Sequence, residues 1–248
     1  MTPQRQTSNP VLSPSAFTYR GAIVGERMTV QGTINKTAFL LALVVLSAMY
    51  TWNQGFRPGS NVSGLMTLGL FGGLGFGFAT CFKPNWAPIT APLYALSEGL
   101  ALGGVSALYE ARFHGIAIQA VLLTSATLLA MLGAYTLGII RASDTFKRGV
   151  IAATGGIFLF YLVTMVLGMF GVHLGVFGNG ALGLGVSIVV VIVAALNLVL
   201  DFDMIEQGSR YGAPKFMEWY GGFGLLVTLV WLYVEILRLL AILASRRD

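Results

Sequence analysis

The chain has 248 residues, of which 56% are hydrophobic and only 10% charged, and its mean hydropathy is +0.77. A soluble domain carries about a quarter charged residues, so a water-soluble globule is excluded. A polytopic membrane protein is expected, with one helical bundle using nearly the whole length. The net charge of +5 does not point to nucleic acid, because the basic residues are scattered through loops; a lipid bilayer with anionic headgroups is the partner that accounts for them.

Residues 1–36 are polar, with Arg5, Arg20, Arg27 and Lys36 ahead of the first apolar run. They lack the short apolar core directly after a basic start that marks a secretory signal. They read as a cytoplasmic tail, flexible over 1–18, where Ser, Pro, Thr and Gln dominate, with an interfacial amphipathic stretch from Met28 to Ile34. Apolar segments follow near 37–52, 62–82, 88–109, 116–139, 150–171, 181–206 and 219–244. Each is about 20 residues long and so able to cross about 30 Å of hydrocarbon. The first is short and can begin in the amphipathic stretch. The predicted organisation is a tail (1–36), an all-α seven-helix transmembrane domain (37–244) and a C-terminal tail (245–248).

The breakers agree with these cuts. Asn53 to Gly59 separates the first two segments, Lys83-Pro84-Asn85 the next two, and Gly208 to Pro214 the last two. Pro88 and Pro92 suit an opening helical turn, where a missing N–H does no harm. Gly69, Gly73 and Gly77 recur every four residues and form a small-residue stripe for close helix packing; Gly72-Gly73-Leu74-Gly75-Phe76-Gly77 has no preceding strand and is not a nucleotide loop. Orientation follows from basic residues near the segment ends. With the N-terminus inside, Arg5, Arg20, Arg27, Lys36, Lys83, Arg141, Lys147, Arg148, Arg210 and Lys215 are cytoplasmic, against Arg57, Arg112, Arg246 and Arg247 outside. A bacterial plasma (inner) membrane with a cytoplasmic N-terminus is the expected location.

Cys81 stands alone, so no internal disulfide forms, and it reads as a small apolar residue. His114 and His173 lie in predicted loops with no partner at metal-ligand spacing, so no resident cofactor is expected. Gly104-Val105-Ser106 bears a faint likeness to a serine-protease element, but no base is within reach, and an enzyme is not expected.

The intramembrane acids carry the functional signal, because ionisable groups at that depth face a bundle interior or a water-filled cavity. Glu98 falls near the bilayer midplane with no basic residue within a turn; Glu110 reads as interfacial, paired with Arg112 or solvent. Asp201 lies one turn beyond Asn197 on the same face. Asp203 is rotated about 200° from Asp201 and shares its face with Glu206, near the headgroups and solvated. Glu235 has two readings: an i, i+3 pair with Arg238, or a member of a polar cavity shared with Glu98 and Asp201. Glu218 reads as interfacial. Carboxylates gathered in a water-poor site can share a proton; its loss leaves an anionic site that attracts a cation or drives the helices apart. Calcium, which takes several hard oxygen ligands, is the ion such a site suits.

Several elements in order resemble the Bax inhibitor-1 (transmembrane Bax inhibitor motif) family. They are Leu200-Asp201-Phe202-Asp203-Met204-Ile205, Leu232-Tyr233-Val234-Glu235-Ile236-Leu237-Arg238-Leu239-Leu240, and Ser97-Glu98-Gly99-Leu100-Ala101-Leu102-Gly103. Asn9-Pro10 and the run from Met28 to Thr37 resemble the start of its bacterial branch. The resemblance implies seven helices around a central one and a pH-sensitive calcium leak gated by aspartates on the last two helices. Asp201 matches the first aspartate. Thr228 falls where the second is expected, with Glu235 two turns on along the same face, so the gate is rebuilt from Asp201 with Glu235 or Glu98, or is lost. The candidate ion-binding and gating residues are Asp201, Glu235, Glu98 and Asp203, with Asp201 and Glu235 the tentative calcium ligands; Thr228, Arg238 and Asn197 are secondary candidates. Three functions stay open: a pH-sensitive calcium (cation) leak channel, a proton-coupled small-solute transporter using the same acids as a relay, and a non-transporting regulator that binds other membrane proteins.

Overall fold

A computed structural model describes residues 26–57, 59–171 and 180–246. The expectations for residues 1–25, including Asn9-Pro10, and for His173 and Arg247, lie outside the described residues. The described residues form seven α-helices in chain order: α1 Val30–Gly55, α2 Val62–Phe82, α3 Ala87–Arg112, α4 Ile116–Thr136, α5 Asp144–Met169, α6 Ala181–Arg210 and α7 Met217–Ala244. The described residues form no sheet; Arg27 and Pro214 make an isolated bridge.

Local chemistry sets the boundaries. α1 begins at Val30, ahead of the expected 37, because the Thr29 hydroxyl accepts from Gly32 N at 2.9 Å and caps it. The amphipathic stretch is therefore its first turns. Asn61 and Ser143 cap α2 and α5 in the same way. Pro88 sits in the opening turn of α3, but Pro92 lies inside that helix, in its second turn rather than its first, where its missing N–H removes one helical bond. Buried hydroxyls mostly return to their own helix: Thr33 donates to Thr29 O at 3.0 Å and Thr37 to Thr33 O at 2.9 Å. No solvating water is needed for them in lipid.

Among the described residues six helices are long and apolar enough to cross a membrane; α3 is not one of them. Pro92, Ser97 and Glu98 lower its hydropathy. It packs against α1, α2 and α7, and the Ser97 hydroxyl returns to its own helix at Leu93 O, 2.8 Å away. α7 is the hub, in contact with α1, α3, α4 and α6. Its apolar stretch is 56% buried, against 11% for α5, which packs on α6 at the periphery. The glycine stripe of α2 lies on α3: a methyl at Gly69 would stand 2.6 Å from Ala101 N and Ser97 O, and one at Gly73 2.6 Å from Glu98 Oε1. At about 1.5 Å rise per residue, the 30 residues of α6 reach about 45 Å. That exceeds about 30 Å of hydrocarbon, so its final turns project toward the headgroups.

Candidate functional site

The acids separate into distinct settings. Asp201, on α6, is partly buried beside the Thr228 hydroxyl of α7. Its Oδ2 is buried and has no hydrogen-bond partner among the described residues. Directly across stands Gly224, where a Cβ would lie 4.0 Å from Asp201 Oδ1. The same Gly224 lines a cavity of about 400 Å³ whose other walls include Gly73 of α2, Tyr94 and Glu98 of α3, and Met204 of α6. Tyr94 precedes Glu98 by one turn and shares its face. Asp201 and the Glu98 cavity are thus neighbours across a residue with no side chain. Cys81 and Tyr220 are the other titratable groups on that cavity.

Glu235 is elsewhere. It follows Thr228 by two turns, about 10 Å along the axis of α7. It accepts from the Tyr161 hydroxyl of α5 at 2.7 Å and pairs with Arg238 Nη1 at 3.6 Å, which in turn donates to the Tyr161 oxygen at 3.2 Å. The intrahelical pair is present, and a helix that sequence reasoning overlooked joins it.

That contact belongs to a series. Lys147 Nζ meets Asp203 Oδ2 at 2.5 Å, Asn197 Nδ2 donates to Thr154 Oγ1 at 2.8 Å, and Tyr161 donates to Glu235. Lys147, Thr154 and Tyr161 are spaced by seven, so they form one face of α5, and their partners on α6 and α7 make a polar ladder. The heptad spacing was visible in the sequence; its partners were not. Asn197 accordingly bonds Thr154 and Val193 O, both at 2.8 Å. Asp203 and Glu206, expected to be solvated, are engaged: Asp203 by Lys147 and by Gln207 Nε2 at 2.5 Å, Glu206 by the Tyr135 hydroxyl and by Arg210 Nη2 at 2.5 Å. The overhang of α6 puts them where α4 and α5 also end.

Two further acids depart from their expected interfacial roles. Glu110 accepts from Gly115 N at 2.6 Å and Ala117 N at 3.1 Å and caps α4, since Gly115 at that position has no side chain with which to do so. Glu218 is only 1% exposed and accepts from Thr29 N at 3.0 Å, Thr29 Oγ1 at 2.9 Å and Lys215 Nζ at 3.2 Å, pinning the start of α1 to that of α7. A methyl at Gly32 would collide with this carboxylate. The hydrogen bond to Glu218, together with Glu26, raises Lys215 above the ordinary lysine value.

Among the described residues no group of three or more His, Cys, Asp and Glu is placed to hold a metal ion. Ser106 bonds Tyr233 at 2.7 Å and Leu102 O at 2.6 Å, a helix-to-helix tie. The profile of the family described as Bax inhibitor 1 like matches residues 9–245. No curated protein matches the chain.

Proposed function

The chain belongs to the Bax inhibitor 1 like family of membrane proteins, and from that premise we propose a pH-sensitive calcium (cation) leak. The bundle sits in a bacterial plasma membrane with its N-terminus cytoplasmic, the orientation the scattered basic residues favour. Asp201 is the proton-sensing group, Glu98 its partner across Gly224, and Thr228 the neutral neighbour that replaces a second aspartate.

One observation carries this reading: Asp201 Oδ2 is buried without a hydrogen-bond donor among the described residues. A bare carboxylate is costly in such a place, whereas a protonated carboxyl is neutral and the apolar walls can close over it. Loss of the proton puts a negative charge beside the Glu98 cavity. The pair then draws in a cation and its water and spreads α6 and α7 from α3. Calcium meets oxygen ligands from Asp201, Glu98 and the nearby hydroxyls in transit, which suits a passing ion better than a resident one. Glu235, held by Tyr161 and Arg238, supports the packing of α5.

Calcium flux into vesicles containing the purified protein tests the reading. Asp201→Asn is expected to flatten the pH dependence and Glu98→Gln to reduce flux, with Glu235→Gln keeping the pH profile. If Asp201→Asn and Glu98→Gln both retain the parent profile, the gate is not here.

A further inference from the structure

A second concavity lies away from the acids of the leak. α1 and α4 each pack on α7 but not closely on each other, and a groove of about 1170 Å³ opens between them. Ile34 and Leu41 of α1 face Leu128 and Leu132 of α4 over a floor of Phe202 and Ile205. The wall from Val30 to Leu41 is about 16 Å long. That is one leaflet of a bilayer whose hydrocarbon is about 30 Å thick.

The groove ends at the charged level where α4, α5 and α6 meet. Four charged side chains stand there: Asp203, Glu206, Arg210 and Arg141. Asp203 is taken by Lys147 and Glu206 by Arg210. Arg210 is 73% exposed along its side chain and is engaged through one nitrogen, Nη2, which leaves its other donors open. Arg141 is exposed and has no ion pair among the described residues. The mouth therefore carries an uncompensated positive charge at headgroup depth above an apolar slot one leaflet deep.

We propose that this groove holds one anionic glycerophospholipid, its phosphate on Arg141 and Arg210 and an acyl chain between α1 and α4. A guanidinium fork matches phosphate oxygens, and the slot is too apolar for a free phosphate to use. The inference does not depend on the leak reading. Because the floor is α6, whose Glu206 shares Arg210, the lipid would bear on the helix that carries Asp201.

Native mass spectrometry of the full-length protein tests the proposal, using phosphatidylglycerol against phosphatidylcholine of identical chains. One phosphatidylglycerol per chain is expected to survive conditions that strip phosphatidylcholine. Arg141→Gln should weaken its retention about fivefold, the worth of one arginine at an anionic surface. Ala38→Trp, from an exposed position on the groove wall, should abolish it, and Leu129→Trp does the same from the opposite wall should the first variant fold poorly. Equal retention of the two lipids overturns the proposal. So does unchanged retention in a tryptophan variant of parental melting temperature, or a change of oligomeric state in place of lipid loss, which would make the groove a contact between copies.

Discussion

Removing the three rungs of the α5 ladder together, with Lys147→Met, Thr154→Val and Tyr161→Phe, is expected to loosen α5 from the bundle. Lipid is as apolar as a leucine side chain, so no hydrophobic force holds one membrane helix to another. α5 buries only Val150 and Thr164 along its length, and Gly155 and Gly156 have no neighbours within 4 Å of where a Cβ would stand. Close packing is therefore scarce and the polar rungs carry the attachment. Each substitution leaves the partner another bond: Asp203 keeps Gln207, Asn197 keeps Val193 O, and Glu235 keeps Arg238. The cost is then that of the rung rather than of a stranded charge. Three intramembrane bonds, Asn197 to Thr154, Tyr161 to Glu235 and Arg238 to Tyr161, at about 0.6–1.7 kcal/mol each and one partly exposed ion pair at up to about 1 kcal/mol total about 2–6 kcal/mol. That shifts the docked-to-released ratio of α5 by a factor of about 30 to 20,000 (roughly tenfold per 1.4 kcal/mol). Spin labels at Leu159→Cys and Ile192→Cys, both exposed, in a Cys81→Ser background and lipid nanodiscs, report the α5–α6 distance. The triple variant should give a broad, longer distribution. A distribution identical to the parent's would refute the reasoning and assign the attachment to apolar packing.

Two other expectations concern the end where α1 and α7 begin. Glu218→Ala removes two hydrogen bonds to a charged acceptor, about 1.5–3 kcal/mol each, and is expected to lower stability by about 3 kcal/mol in micelle unfolding; a loss below about 1 kcal/mol would show that the Thr29 contact is dispensable. Lys215 is raised above its ordinary 10.5 by Glu218 and Glu26. Its contribution is complete below that ordinary value and fades only as pH climbs through the higher folded one. Melting temperature should therefore be insensitive to this pair across neutral pH and fall in strong alkali, and Lys215→Met should remove that alkaline fall; a variant with an unaltered alkaline limb would count against the pairing.

The sequence by itself determined the class of the molecule, the order of its seven helices and its family. Runs of apolar residues broken by Pro, Gly and charge admit little besides a helical bundle in lipid, and motif order along the chain identifies the family. It also marked which acids fall within the spans. What only the tertiary structure decided is who meets whom. Helical periodicity says that Asn197 and Asp201 share a face, or that Lys147, Thr154 and Tyr161 do, but not which helix lies opposite. Asn197 therefore turned out to bond Thr154, and Asp203, expected in solvent, to pair with Lys147. Glu218, expected at the interface, is sealed under Thr29 because Arg27 to Thr29, just ahead of α1, lie against the start of α7. The physical reason is common to all three. In a bilayer, hydropathy separates protein from water but gives no preference among helices, so the pairing rests on a few polar contacts and close glycine approaches set by three-dimensional packing.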